Sequence, residues 1–217
     1  MAKDPSSEKI PLEKQIEELQ DPVTIVIHIT DQENEYLEEV KNQLDQLSEK
    51  SENIEVKIVK EEGEPGDNVK HLVDHFPAFV VLDKDGNDHG IRFYGAPMNN
   101  IYDGFLKTII MLSRKETGVG EEDLKTIVEA GEKDLQLLLT PNAPNTQTTI
   151  ETSLKLAYIS EGISVSVIDL IQFPEMAEQY HVLGIPKTII NEEQRYTGPF
   201  DLKDGLDILT KNISDAE

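Results

Sequence analysis

Apolar residues recur along the chain in two stretches that share one order of elements. In the first, the unbroken β-branched run VTIVIHI over 23–29 predicts a strand. Tyr36, Leu37, Val40, Leu44 and Leu47 then return at helical spacing among charged residues, the pattern of an amphipathic helix. Ile54, Val56 and Ile58 alternate with Glu55 and Lys57, which predicts a half-buried strand over 54–59. A loop over 61–67 leads to a short helix around 69–76. Strands over 78–82 and 91–94 close on Asp85-Gly86 as a hairpin. Phe105, Ile109 and Leu112 place a helix over 101–112.

The second stretch repeats this order. A strand over 135–139 runs into the turn TPNAPN at 140–145, and a helix over 148–160 buries Ile150, Leu154, Ala157 and Tyr158. An alternating strand over 163–168, a short helix over 174–180, and a hairpin of 187–190 with 195–197 around Glu192 and Glu193 follow. A helix over 202–213 ends the stretch. The order βαβαββα thus occurs twice. Gly118 and Gly120, flanked by charge, mark a hinge between the halves, and a helix over 121–130 opens the second. Ile16 and Leu19 can dock a short helix from the charged start. The expected organisation is a lead-in over 1–20, a first unit over 21–116 and a second over 117–217. The class is α/β, each unit a mixed sheet flanked by helices on both faces.

Charge narrows the function. With 43 acidic against 20 basic side chains the net charge is −23, which argues against a nucleic-acid surface built from clustered Lys and Arg. Mutual repulsion of that charge predicts a melting temperature that rises from low to molar salt; a flat profile would contradict it. The 217 residues include no cysteine, which excludes disulfides, thiolate metal sites, a cysteine nucleophile and thiol redox chemistry by this chain. Residues 1–9 are polar and of mixed charge, and the longest apolar runs are strand-sized, so neither a signal peptide nor a membrane span is expected and the location is read as cytoplasmic.

Other candidate chemistry is sparse. His71 and His75 stand four apart and on a helix would share a face, but no third ligand follows at a metal-binding spacing, so they read as surface histidines. His28, inside an apolar strand, reads as a half-buried core or edge residue. The run DKDGND over 83–88 echoes a calcium loop without its later bidentate glutamate and is taken as a hairpin turn. No glycine-rich phosphate loop follows either first strand. Asn212-Ile213-Ser214 fits a glycosylation acceptor but lacks an export signal to go with it.

Three local stretches carry a resemblance. EMAEQYHVLGIPK at 175–187, NDHGIRFYGAP at 87–97 and SRKETG at 113–118 resemble segments of the protein disulfide oxidoreductases (glutaredoxin-like proteins), which join two thioredoxin-fold units in one chain. The resemblance extends over nearly the whole chain after residue 20. It implies two tandem thioredoxin-like units, and it matches Pro77 and Pro186 to the family's cis-prolines, which present backbone to a bound client peptide. Without it, an ordinary trans proline opening a strand would be the reading at either position.

The family's second unit carries Thr-Pro-x-Cys-Pro-x-Cys where this chain has TPNAPNT at 140–146. Ala143 and Thr146 stand in the cysteine positions. A cysteine there is favoured as thiolate by the helix N-terminus, whereas Ala143 has no nucleophile and a Thr146 hydroxyl needs an adjacent base that the turn does not supply. Thr146 therefore reads as a small polar residue in the helix's first turn. In the first unit TDQENEYLEE at 30–39 has lost the frame altogether, with Asp31 or Asn34 as a candidate N-cap. Changes of spacing and of neighbours at both places point to natural loss rather than engineered replacement.

The resemblance thus leads to a redox-inactive relative that binds protein or peptide partners as a holdase, adaptor or complex subunit. Phe76, Pro77, Pro144, Ile185 and Pro186 form the expected groove, with no catalytic residue, no metal and no cofactor. Tyr36 would lie beside Phe76. The alternatives are an enzyme of non-thiol chemistry or small-molecule binder at Thr140, Asn142, Asn145 and Thr146, and a structural or oligomerising domain.

Overall fold

A strand that is apolar on both faces belongs inside a sheet covered on both sides. In the computed structural model, which describes residues 11–31, 34–61 and 71–210, the run at 23–29 forms β1 (Val23–Ile29) in such a position. Before it lies α1 (Leu12–Glu17); after it come α2 (Leu37–Lys50), β2 (Ile54–Lys60), β3 (Ala78–Leu82), β4 (Asp88–Tyr94) and α3 (Asn99–Arg114). The second half consists of α4 (Glu121–Glu129), β5 (Lys133–Leu139), α5 (Thr146–Ile159), β6 (Ile163–Asp169), α6 (Pro174–Gln179), β7 (Lys187–Ile190), β8 (Gln194–Thr197) and α7 (Leu202–Thr210).

The strands form one eight-stranded sheet in the order β2-β1-β3-β4-β6-β5-β7-β8. Its halves repeat a single pattern. β1 runs parallel to β2 and antiparallel to β3, which pairs with β4. Likewise β5 runs parallel to β6 and antiparallel to β7, which pairs with β8. The halves meet where β4 pairs in parallel with β6, from Ile91 opposite Val165 to Tyr94 opposite Ile168. The β4 edge of one unit and the β6 edge of the other thereby cover each other, and β2 and β8 are the edges of the joint sheet.

Alternation along the strands sorts the core to two faces. Ile25 and Ile27 of β1, Phe79 of β3, Leu135 and Leu137 of β5 and Val165 of β6 face one side, where α1–α5 and α7 pack their apolar stripes. Val26, Val80, Leu138, Ile168 and Ile189 face the other, under Met176 of α6 and Val73. Helices therefore cover both faces unevenly. Between the halves α3 lies against α5, where the missing side chain of Gly104 lets Ile150 approach.

Three sequence readings change. Residues 71–76 are not helical; 69 and 70 lie outside the described residues, as do 211–213 of the last helix and the acceptor site at 212–214. Ile58 was expected to face inward by alternation, but it is 51% exposed on the outermost strand. Asp31 is not the helix cap: it pairs with Lys60 at 2.6 Å, while Asn34 Oδ1 accepts the Tyr36 N–H at 3.0 Å just ahead of α2.

The hairpin turn between β3 and β4 is organised by Asp83. Its Oδ1 accepts the N–H groups of Asp85 and Asn87 at 2.9 Å each, and its Oδ2 accepts Asn87 Nδ2 at 3.0 Å and meets His89 Nε2 at 3.1 Å. Burial resists ionisation, but the hydrogen bonds from Asn87, His89 and Asp85 outweigh it and hold the carboxyl at about 2. A carboxyl so depressed stabilises the fold above its ordinary value of 3.8, and that stabilisation is lost as pH falls from there through about 2. Asp83→Ala is expected to cost about 1 kcal/mol at neutral pH, discounted for solvent at the turn. In urea denaturation the gap to the parent protein should narrow as pH falls from about 4 to about 2; a pH-independent gap would contradict this account.

Candidate functional site

In each half a strand ends, a turn leads into a helix, and a proline stands beside the strand's end. His28 pairs with Ala78, which sets Pro77 opposite Ile29; Leu138 pairs with Lys187, which sets Pro186 opposite Leu139. Both the Phe76–Pro77 and the Ile185–Pro186 bonds are cis. The proline carbonyls accept the N–H groups of Gly95 and Gly198, each at 2.9 Å. The residue before each proline differs: among the described residues, no hydrogen bond uses the backbone of Phe76 or Ile185. Ile185 is 38% exposed and Leu183 wholly exposed, while Phe76 is half-buried.

The turn at 140–146 is closed by its own contacts and by the other half. Ala143 N–H donates to the Thr140 carbonyl at 3.1 Å, and Asn145 takes a left-handed conformation with φ of 61° before α5 begins. The Thr146 hydroxyl is fully buried and donates to the Ala143 carbonyl at 2.9 Å. From the start of α3, Asn100 Nδ2 donates to the same carbonyl at 3.1 Å and Asn99 Nδ2 to Asn142 Oδ1 at 2.9 Å, while Asn100 N–H donates to the Pro141 carbonyl at 3.1 Å. The Thr146 hydroxyl is thus engaged within the turn and turned from solvent. Ala143 is buried; Asn142, Pro144 and Asn145 are exposed.

Beside Pro77 the surface is concave. A cavity of about 280 Å³ is lined by Ile29, Thr30, Asn34, Leu37, Phe76, Pro77 and, from the second half, Gln172, Phe173 and Glu175. It adjoins a more open cleft of about 710 Å³ lined by Asn34, Glu35, Tyr36, Leu37, Glu38, Ile171 and Gln172. The structure therefore brings Phe76, Pro77 and Tyr36 to one concave region that spans both units. Pro144, Ile185 and Pro186 belong to the second half's own turn and strand end.

Gln172 holds the two sides of this region together. Its Oε1 accepts Ala96 N–H at 2.9 Å and Asn34 Nδ2 at 2.8 Å; its Nε2 donates to the Ala96 carbonyl at 3.0 Å and to Asp169 Oδ2 at 2.7 Å. Gly95, with φ of 89°, makes room, since a Cβ there would lie 2.9 Å from the Gln172 amide. Asp169 is 2% exposed, and burial pushes its carboxyl above the ordinary range, opposed by Gln172 and by the N–H groups of Ile171 and Gln172.

Two histidine clusters flank Pro77. His28 is 1% exposed, its Nδ1 2.6 Å from Glu61 Oε1 and its Nε2 2.8 Å from His71 Nδ1. Arg92 Nε donates to the His71 carbonyl at 2.7 Å and its guanidinium pairs with Asp88 at 2.7 Å. His28 is therefore fully interior rather than half-buried, and His71, 6% exposed, is not a surface residue. His75 is half-buried against the rings of Tyr94 and Phe173, at centroid distances of 5.5 and 5.6 Å, with Nδ1 2.8 Å from Asp74 Oδ1. The Asp74 carboxylate raises the His75 pKa against the opposing effect of burial, while burial and then Asp74 push the Tyr94 hydroxyl up. Among the described residues no three His, Asp or Glu are grouped so as to hold a metal ion, and no helix is long and apolar enough to cross a membrane.

No model of a known protein family matches the chain, and neither does any curated protein. Solved structures do share its fold. The alkylhydroperoxide reductase protein AhpF of Enterococcus faecalis V583, as its C503A mutant, gives a TM-score of 0.83 at 18% identity, over 91% of this chain and 95% of that one. The NTD_N/C domain of the same AhpF gives 0.80 at 17% identity, over 93% of this chain and 100% of that one. A protein disulfide oxidoreductase from Aeropyrum pernix K1 gives 0.80 at 18% identity, over 92% of this chain and 89% of that one. At such identities the likeness establishes a fold, that of tandem thioredoxin-like units. With no cysteine, this chain has no thiol of its own for disulfide exchange.

Proposed function

We propose that the protein is a redox-silent binding module of the cytoplasm that takes up extended segments of other polypeptides beside Pro77 and Pro186, as a holdase, adaptor or complex subunit. The observation that carries this reading is the backbone of Phe76 and Ile185, which makes no hydrogen bond among the described residues and stands in each half next to a buried proline. An exposed N–H and C=O held in place is a template on which an extended peptide can pair as an added strand, with neighbouring apolar side chains supplying pockets. At Pro77 the pocket is the cavity walled by Ile29, Leu37 and Phe173. At Pro186 the apolar surface is that of the exposed Ile185 and Leu183. The closed turn at 140–146, with Thr146 bonded inward, fits a site that has kept its frame without its chemistry.

The test is fluorescence anisotropy with a labelled, reduced and alkylated, permanently unfolded polypeptide. Ile185→Asp puts charge at an exposed position and is expected to weaken binding at least about tenfold, ~1.4 kcal/mol, with an unchanged melting temperature. Binding that persists undiminished in a variant carrying both Ile185→Asp and Phe76→Asp overturns the reading.

A further inference from the structure

We propose that the outer edge of β2 is a self-association surface, on which a second copy of this chain pairs antiparallel about a two-fold axis at Val56. The two edges of the joint sheet differ. β8 is four residues long, reads QRYT and carries no aliphatic side chain, which blunts it. β2 is seven residues long and exposes both Ile58 and Val59. Its outward backbone groups follow from its inward ones. Asn53 C=O accepts the Val23 N–H at 2.9 Å and Glu61 N–H donates to the Ile29 carbonyl at 2.8 Å, so the odd-numbered residues turn their backbone toward β1. The even-numbered residues Val56 and Ile58 therefore turn theirs away from it, as does the Ile54 carbonyl. Among the described residues no strand lies on that side.

A second copy fits this edge in one register. An axis that continues the sheet must pass through a residue, because an axis between two residues would set opposite faces against each other. With the axis at Val56, the two Val56 residues exchange both N–H to C=O bonds, and each Ile58 N–H meets the other copy's Ile54 carbonyl. Ile54 and Val56 pack into the core. Ile58, exposed on the same face, gains the second copy's Ile54 as its cross-strand neighbour. On the opposite face Glu55 stands across from the second copy's Lys57, and Lys57 across from its Glu55. These two side chains already pair at 2.9 Å within the strand, so the two copies together form a ring of alternating charge. Other registers lack this match. Axes at Glu55 or Lys57 set like charges together, one at Ile58 sets Glu55 against Glu61, and one at Val59 sets Ile58 against Lys60.

The experiment is sedimentation equilibrium of the full chain at physiological ionic strength, where repulsion between acidic copies is screened. A reversible dimer is expected, with a dissociation constant on the order of 10 µM, as for a small transient interface. Lys57→Glu sets acidic side chains opposite each other and should weaken the dimer at least about tenfold. Glu55→Lys/Lys57→Glu, which exchanges the two charges, should restore it. Both side chains are more than half exposed, so the monomer fold is kept. Lys203→Glu, exposed on α7 and with the same change of net charge, should leave the dimer intact. A monomer at every concentration up to about 1 mM overturns the inference. So does a dimer indifferent to Lys57→Glu, one that the exchange fails to restore, or one that Lys203→Glu weakens equally.

Discussion

Gln172→Ala is expected to lower the free energy of unfolding by about 3–5 kcal/mol, because one side chain satisfies four groups, three of them on the other half of the molecule. Truncation removes the acceptor of Ala96 N–H and Asn34 Nδ2 and the donor to the Ala96 carbonyl and Asp169. A polar group orphaned in the interior costs roughly 1–3 kcal/mol, and more where the group is charged. Asp169 is the costly one: it is already held above its ordinary value by burial and would lose the Gln172 amide that offsets this. Losing a donor disfavours the carboxylate in the folded state, so this part of the deficit is greatest where Asp169 is ionised. It should shrink as pH falls through the raised value and vanish well below 3.8, where the carboxyl is protonated folded or unfolded. Melting temperature at neutral pH should drop on the order of 10 °C, and a drop of only a degree or two would mean that the bracket does not hold the halves.

The second large effect is at Gly104. A Cβ placed there would lie 2.5 Å from Ile150 Cγ2, a methyl on a β-branched carbon that cannot swing aside. Alanine in place of glycine gains about 1 kcal/mol of helix propensity, yet overpacking a close contact costs roughly 1–3 kcal/mol. Gly104→Ala is therefore expected to destabilise by up to about 2 kcal/mol and Gly104→Leu by at least about 3 kcal/mol, measured by urea denaturation. Trimming the neighbour in Gly104→Ala/Ile150→Ala should recover part of the alanine deficit relative to the two single changes added together. A stabilised Gly104→Ala would show that α3 and α5 can separate without cost.

Both changes act where the halves meet, and that junction is the part of the fold least visible in the sequence. Periods of two and of about 3.6 report which face of an element is buried, so the runs at 23–29 and 135–139 and the stripe from Leu37 to Leu47 could be read directly. They do not report which strand edge finds which, and β4 pairs with β6 through ordinary residues such as Arg92 opposite Ser166. Gln172 stands in the short link before α6 and carries no local signal, since its partners Ala96 and Asn34 lie 76 and 138 residues away. Likewise His28 and His71 meet across 43 residues. The expected helix around 69–76 misled in the same way: spacing of His71 and His75 suggested a shared exposed face, while the described chain turns through a left-handed Leu72 and sends His71 inward.

The candidate site was legible in part. The resemblance marked Pro77 and Pro186, and the TPNAPNT turn showed the missing sulfurs in a recognisable frame. Two features needed three dimensions. The Asn99 and Asn100 amides clamp that turn from the first half, and the cavity at Pro77 takes Phe173 and Glu175 from the second. Both are consequences of the continuous sheet, which sets each unit's helix ends against the other.

The central claim, that extended polypeptide pairs with the backbone beside the two prolines, is tested most directly by nuclear magnetic resonance. The isotope-labelled full chain would be titrated with an unfolded peptide carrying apolar side chains. The account predicts saturable shifts centred on the Phe76 and Ile185 amides and their neighbours Ala78 and Lys187, with the amides of α4 and α7 unmoved. Shifts confined to the acidic outer faces of the helices, or no saturable shifts at all, would contradict it.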